Sequence, residues 1–306
     1  MLISQLISDI KKKKSIAVVG LDPNLDKLPK QLRAGKTAAA AVLDFNKRII
    51  DTVKNDCIAI KPQLAYYEAL GSQGFFVLEE TLKYIRSAGL QVIADGKRGD
   101  VGSTSKAYAD AFLSQGSTFS SDYLTVNPYM GIDTLVPFTD NCKQFDRGVF
   151  VLVKTSNTGS NDFQEALIVL NPQDEEKLSD LNVKVSGSKT LLCNLVGLRV
   201  SELAAKYVDK SSYSLVGAVV GATQAKYIKD LRAIMPTSYF LVPGYGVQGG
   251  SAKDLTHCFN DDGLGAIVNS SRGILYAYEK ANDPENFEKH AKEALKEMND
   301  DLRTLF

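Results

Sequence analysis

The sequence predicts a single-domain (β/α)8 barrel over residues 1–306. Three observations predict it. Eight short apolar runs, rich in β-branched residues, recur along the chain. Most are apolar nearly throughout instead of alternating, as strands buried on both faces are. Stretches of helical character separate them, which is the alternation a parallel barrel needs. A doubly wound sheet can also string many βα units together, so the alternation alone leaves closure open.

The elements follow in order. Leu2, Ile3, Leu6, Ile7 and Ile10 have helical spacing, and the Lys11–Lys14 run behind them suits the negative end of a helix dipole. The strand candidates are Ser15–Gly20, Cys57–Lys61, Gln91–Ala94, Tyr123–Val126, Gly148–Val153, Leu215–Val220, Tyr239–Val242 and Gly265–Val268. Helical character lies at Thr37–Val53, Gly74–Ser87, Thr104–Leu113, Glu202–Val208, Ala225–Ile234 and Ala252–Phe259. The interval from Thr155 to Ser214 is long. Residues 160–195 read as an insertion, with Asn171–Lys177 polar and turn-like, followed by a helix at Leu198–Val208. The interval has too little apolar pattern for a core of its own, so it is not a second domain.

Composition narrows the function. Lysine plus arginine and aspartate plus glutamate each number 36, for zero net charge. Such a chain has no bulk attraction to a nucleic acid polymer or an anionic membrane, so anion binding must be local. No apolar run reaches the length of a membrane span. The basic residues follow the first apolar stretch, the reverse of a secretory leader, and a cytoplasmic location is expected. Cys57, Cys142, Cys193 and Cys258 lack C-x-x-C spacing and read as small hydrophobes in a reducing compartment.

Function in a barrel collects at the carboxyl ends of the strands. Most of the eight runs end in an ionisable or strongly hydrogen-bonding cluster. The first is followed by Asp22, the second ends Lys61-Pro62-Gln63, and the third continues Asp95-Gly96-Lys97-Arg98-Gly99-Asp100 to Thr104. The fourth gives Asn127, and the fifth Lys154-Thr155-Ser156. The seventh gives Pro243 to Gly250, including Gln248, and the eighth Asn269-Ser270-Ser271-Arg272-Gly273. Charges directly after buried strands are costly unless paired. Alternation along a strand turns Asp95 and Lys97 the same way, with Lys61 entering from the adjacent strand. An alternating Lys–Asp–Lys–Asp set is neutral overall, so each lysine can stay an ammonium ion and act as a proton donor.

Asp95-x-Lys97-x-x-Asp100-x-x-x-Thr104, with Asp22 and Lys61, resembles the orotidine 5′-phosphate decarboxylases. Lys97 to Thr104, Val219 to Thr223, Pro243 to Gly250 and Asn269 to Ile274 are similar to the longer bacterial subgroup. The resemblance runs from the first strand to the eighth. It implies the conversion of orotidine 5′-monophosphate to UMP and CO2 in pyrimidine biosynthesis, with no cofactor and no metal. It implies that Lys97 protonates C6, that Asp95 lies beside the substrate carboxylate, and that Lys61 and Asp100 flank them. Asp22 is then a ribose ligand and Ser156 a pyrimidine contact, while Arg272 and Gly273 grip the phosphate with help from Gln248. Asp100 and Thr104 are expected to reach the neighbouring subunit's site, which makes the chain a homodimer. Gly96 departs from the family's pattern, where a residue such as alanine is expected, and Asn161–Lys189 is the least family-like stretch.

Other readings compete. The Gly244-x-Gly246-x-x-Gly249 pattern fits a dinucleotide fingerprint, but no nucleotide-binding half follows it. His257 and His290 lie in helical stretches away from strand ends, against histidine hydrolysis or a zinc site. Related phosphosugar enzymes share the Asp-x-Lys-x-x-Asp element, but a metal-binding carboxylate is expected on their second strand, where this chain has Lys61. A Schiff-base aldolase through Lys154 or Lys97 and an inactive nucleotide-binding barrel complete the alternatives.

Overall fold

The computed structural model describes residues 1–246 and 251–305. Its strands are β1 (Ala17–Leu21), β2 (Ala59–Pro62), β3 (Gln91–Arg98), β4 (Tyr123–Val126), β5 (Gly148–Lys154), β6 (Leu167–Val169), β7 (Lys189–Leu191), β8 (Ser214–Val220), β9 (Ser238–Pro243) and β10 (Ala266–Ser270). Eight of them close into a barrel in the order β1-β10-β9-β8-β5-β4-β3-β2. Every neighbouring pair in it is parallel. Closure leaves no unpaired edge, and burial on both faces accounts for the unbroken apolar runs. All eight predicted strands are present, most of them shifted or extended by a residue or more, and β3 by four.

Amphipathic helices cover the barrel. Thr37 caps the helix Ala38–Val53 by accepting from the Ala40 N–H, and that helix buries Val42, Phe45, Ile49 and Ile50. The first helix, Leu2–Lys13, buries Leu2, Ile3, Leu6 and Ile10. It ends at Lys14 in the left-handed conformation. The four cysteines are free and buried, as expected. Ala252–Cys258 forms a 3-10 stretch where a helix was expected.

The insertion is more regular than its sequence suggested. Asn171–Lys177 is no turn but most of a helix, Pro172–Asp180. Asn171 caps it by accepting from the Asp174 N–H, and Pro172 occupies its first turn, where a missing N–H costs nothing. Strands β6 and β7 form a separate antiparallel pair, Leu167 opposite Leu191. The following helix begins at Leu192 and runs to Ala204, earlier than expected, because the apolar stretch around Cys193 packs as helix.

Candidate active site

A cavity of about 370 Å³ opens at the carboxyl ends of the strands. Asp22, Lys61, Asp95, Arg272 and Gly273 line it, as do Gln63, Tyr66, Tyr245, Asn269 and Ser271. Asp95 is the centre of its charge. Lys61 Nζ donates to Oδ2 and Lys97 Nζ to Oδ1, each at 2.6 Å. Gln63 Nε2 adds a bond to Oδ2 and Thr125 Oγ1 a bond to Oδ1, both at 3.0 Å. Four donors therefore hold one carboxylate, two on each oxygen.

Burial sets the electrostatics. Asp95 and Lys61 are 6% and 4% exposed. Desolvation pushes the Asp95 carboxyl up, but Lys61 and Lys97 prevail and hold it well below the usual carboxylate range. Desolvation pulls Lys61 down, but Asp95 and then Asp22 raise it above an ordinary lysine. Asp95 and Lys61 are thus ionised at neutral pH, but Asp100 stands outside the set, so the ion pairs seen are two lysines on one carboxylate and not the expected neutral four-membered array. The Lys97 side chain is 46% exposed and so remains accessible at the barrel mouth.

Lys97 reaches Asp95 by a different route from simple strand alternation. The β3–β4 register slips between Ala94 and Arg98. Lys97 sits within that bulge at φ 48°, a left-handed conformation uncommon for a residue with a Cβ. At Gly96 an added Cβ would stand 2.7 Å from Leu64 Cδ1. The glycine thus matches a leucine that occupies the space.

The end of the cavity at Arg272 and Gly273 is built on close approach. An added Cβ at Gly20 would lie 1.9 Å from Ser271 Oγ, so glycine lets β1 meet the loop after β10. Asp22 is fixed through its backbone, since Tyr276 Oη donates to the Asp22 carbonyl at 2.8 Å. Asp22 Oδ1 and Asn269 Oδ1 are buried with no donor among the described residues. On the cavity wall they are placed to accept from hydroxyls of a ligand. The helix at Arg272 is a single turn, Arg272–Leu275, so its dipole adds less than a full helix would.

Other expected residues stand apart from this cavity. Ser156 lines a separate recess of about 520 Å³ with Asn157, Thr158, Asn161, Thr223 and Gln224. The Asp100 carboxylate accepts from the Val101 N–H and lies in none of the chain's ion pairs among the described residues. Thr104 is exposed on the helix Gly102–Leu113. Gln248 and positions 247–250 of the Val247–Ser251 loop lie outside the described residues. Gly244 and Gly246 are left-handed turn residues that lead towards a 3-10 stretch, not a nucleotide-binding helix.

Lys154 is fully buried, bonded to Ser160 Oγ at 2.7 Å and paired with Glu165 at 3.0 Å, which removes it as a Schiff-base nucleophile. His290 Nε2 lies 2.9 Å from Asp283 Oδ2 in the helix layer. Sequence reasoning gave no role to Gln63, Tyr245 or Thr125. Gln63 stood in plain view at a strand end, whereas Thr125 read as an ordinary β-branched strand residue.

A family model described as orotidine 5′-phosphate decarboxylase / HUMPS family matches residues 18–287. An orotidine 5′-phosphate decarboxylase of Rhodopirellula baltica is 41% identical over 98% of this chain and 98% of that protein. One from Clostridium botulinum is 38% identical over the whole of both. The solved structure of the Leishmania donovani OMP decarboxylase superposes with a TM-score of 0.70 at 30% identity, covering 97% of this chain and 98% of that one. With its matched span, its closed barrel and its lysine–aspartate array, the chain belongs to the orotidine 5′-phosphate decarboxylase / HUMPS family.

Proposed function

We propose that this chain decarboxylates orotidine 5′-monophosphate to UMP, with Lys97 as the proton donor. The carrying observation is the Lys61–Asp95–Lys97 set, two ammonium groups on one buried carboxylate. Within the family, Lys61 at the end of β2 favours this reaction over a metal-assisted phosphosugar reaction, which needs a carboxylate there.

The C6–carboxylate bond breaks heterolytically, CO2 leaves, and the electron pair stays on C6 in the ring plane. No adjacent π-system delocalises it, so stabilisation must be electrostatic. Lys97 supplies the cation, transfers a proton to C6 and regains one from solvent. Asp95 beside the substrate carboxylate opposes the ground state. Two like charges ~4 Å apart at an effective dielectric of ~20 repel by ~4 kcal/mol. Loss of neutral CO2 relieves this, a contribution ranked behind carbanion stabilisation. Arg272, Gly273 and Gln248 take the phosphate, Asp22 a ribose hydroxyl and Ser156 the pyrimidine edge. Remote phosphate binding then lowers the barrier at C6. No cofactor or metal enters this scheme. Asp100 and Thr104, which do not line their own chain's cavity, serve the site of a second subunit in a homodimer.

The test is loss of orotate absorbance from orotidine 5′-monophosphate with chelator-treated protein, alongside Lys97→Ala. Turnover to UMP that the substitution abolishes supports the reading. A folded wild-type protein without turnover sinks it. Activity returning only with magnesium would favour the metal-dependent relatives.

A further inference from the structure

We infer that Thr125 is a positioning residue for the proposed reaction, its one hydroxyl fixing both the backbone of Lys97 and the carboxylate of Asp95. The inference rests on the functional reading above but on a separate set of contacts. Ile93 pairs with Tyr123 and Ala94 with Leu124, and the next pair is Arg98 with Val126. Asp95, Gly96 and Lys97 therefore face Thr125 alone across the sheet. The ordinary ladder has no backbone acceptor for the Lys97 N–H at such a bulge. Thr125 Oγ1 supplies one, accepting that N–H at 2.9 Å. The same hydroxyl spends its proton on Asp95 Oδ1 at 3.0 Å, the oxygen that also takes Lys97 Nζ.

A hydroxyl has one proton to give and lone pairs to receive, so both bonds are made without conflict. Thr125 is 1% exposed, and its branched Cβ leaves χ1 little freedom, so the oxygen cannot drift. Its backbone pairs with Phe150 on β5, which anchors it away from the bulge. The left-handed φ of Lys97 aims its ammonium back at Asp95, and such a conformation persists only where its surroundings impose it. Among the described residues, the Thr125 hydroxyl is the one side-chain group hydrogen-bonded to both Lys97 and Asp95. Positional errors of about 1 Å at a reacting group cost on the order of 100-fold in rate.

Thr125→Val keeps the shape and removes the hydroxyl, whereas Thr125→Ser keeps the hydroxyl. For Val, kcat should fall roughly 10- to 100-fold while the Kd for UMP changes less than about threefold, because the groups that bind the product are untouched. Ser should restore kcat to within about threefold of wild type. General loosening of the fold would instead weaken UMP binding along with turnover, and that result overturns the inference. So does a Val variant with wild-type kcat, or a Ser variant as slow as Val. Amide exchange of peptides spanning 95–98 separates this from the functional reading. Exchange at least about tenfold faster in Val than in wild type supports the Thr125 contact even in a chain inert towards orotidine 5′-monophosphate, and unchanged protection overturns it.

Discussion

Deleting the Lys61 ammonium tests the electrostatic core of the site. Lys61→Met preserves length and removes the charge 2.6 Å from Asp95 Oδ2. At that distance and an effective dielectric of about 20, the lost attraction is roughly 6 kcal/mol. Relief of the lysine's own desolvation returns several kcal/mol. Asp95 also keeps Lys97, Gln63 and Thr125. The net loss should be about 3 kcal/mol, the low end for breaking a buried pair. Unfolding entropy of about 2.1 cal/mol/K per residue over 306 residues turns this into a drop in Tm of about 5 °C.

The loss must also depend on pH. The folded pKa of Asp95 lies below its unfolded value near 4, so its stabilisation is present above about pH 4 and fades as pH falls towards the folded pKa. The folded pKa of Lys61 lies above its unfolded value, so its share is full below about pH 10 and is lost as pH rises through the folded pKa. Urea titrations of wild type and variant from pH 3 to pH 8 should show the gap widest near neutrality and narrower below pH 4. Equal stability at pH 7, or a gap that ignores pH, would refute the reasoning.

Three further outcomes are expected. Arg272→Ala should raise the KM for orotidine 5′-monophosphate by about 10- to 100-fold, the worth of a charge-assisted phosphate contact, and leave turnover of phosphate-free orotidine unchanged in steady-state kinetics. Gly20→Ala places a methyl 1.9 Å from Ser271 Oγ. It should cost about 1–3 kcal/mol by urea titration and weaken UMP binding by calorimetry at least about tenfold. Mixing inactive Lys97→Ala with inactive Asp100→Asn should restore roughly a quarter of wild-type activity, since half of random dimers are mixed and each mixed dimer holds one complete site. No recovery after subunit exchange would exclude a shared site.

The barrel was legible because strands buried on both faces leave unbroken apolar runs, and the run Tyr123–Val126 coincides with β4 residue for residue. The charged core of the site was legible for a related reason, since Lys61 and Asp95 end such runs where an unpaired charge could not persist. The geometry joining Lys97 to Asp95 was not, because a bulge depends on the partner strand and leaves no mark on its own residues. The Pro172–Asp180 helix was missed although its cap and proline were visible, because apart from Leu178 it buries almost no apolar side chain. The β6–β7 pairing joins segments too far apart in sequence for any local pattern to link them. Ser156 could be located at a strand end, but the recess it lines depends on the loop after β8.

The four cysteines have a practical consequence. Burial pushes the thiols of Cys57 and Cys258 up to about 12 and that of Cys193 to about 11. Cys142 is pushed up as well. The folded chain therefore presents no reactive thiolate at neutral pH, and alkylation waits on opening of the structure. The native protein thus carries its own chemical clock for unfolding, read by counting modified thiols against time. A single cysteine introduced on the exposed surface would be the one addressable handle for a dye, with no native thiol to remove first.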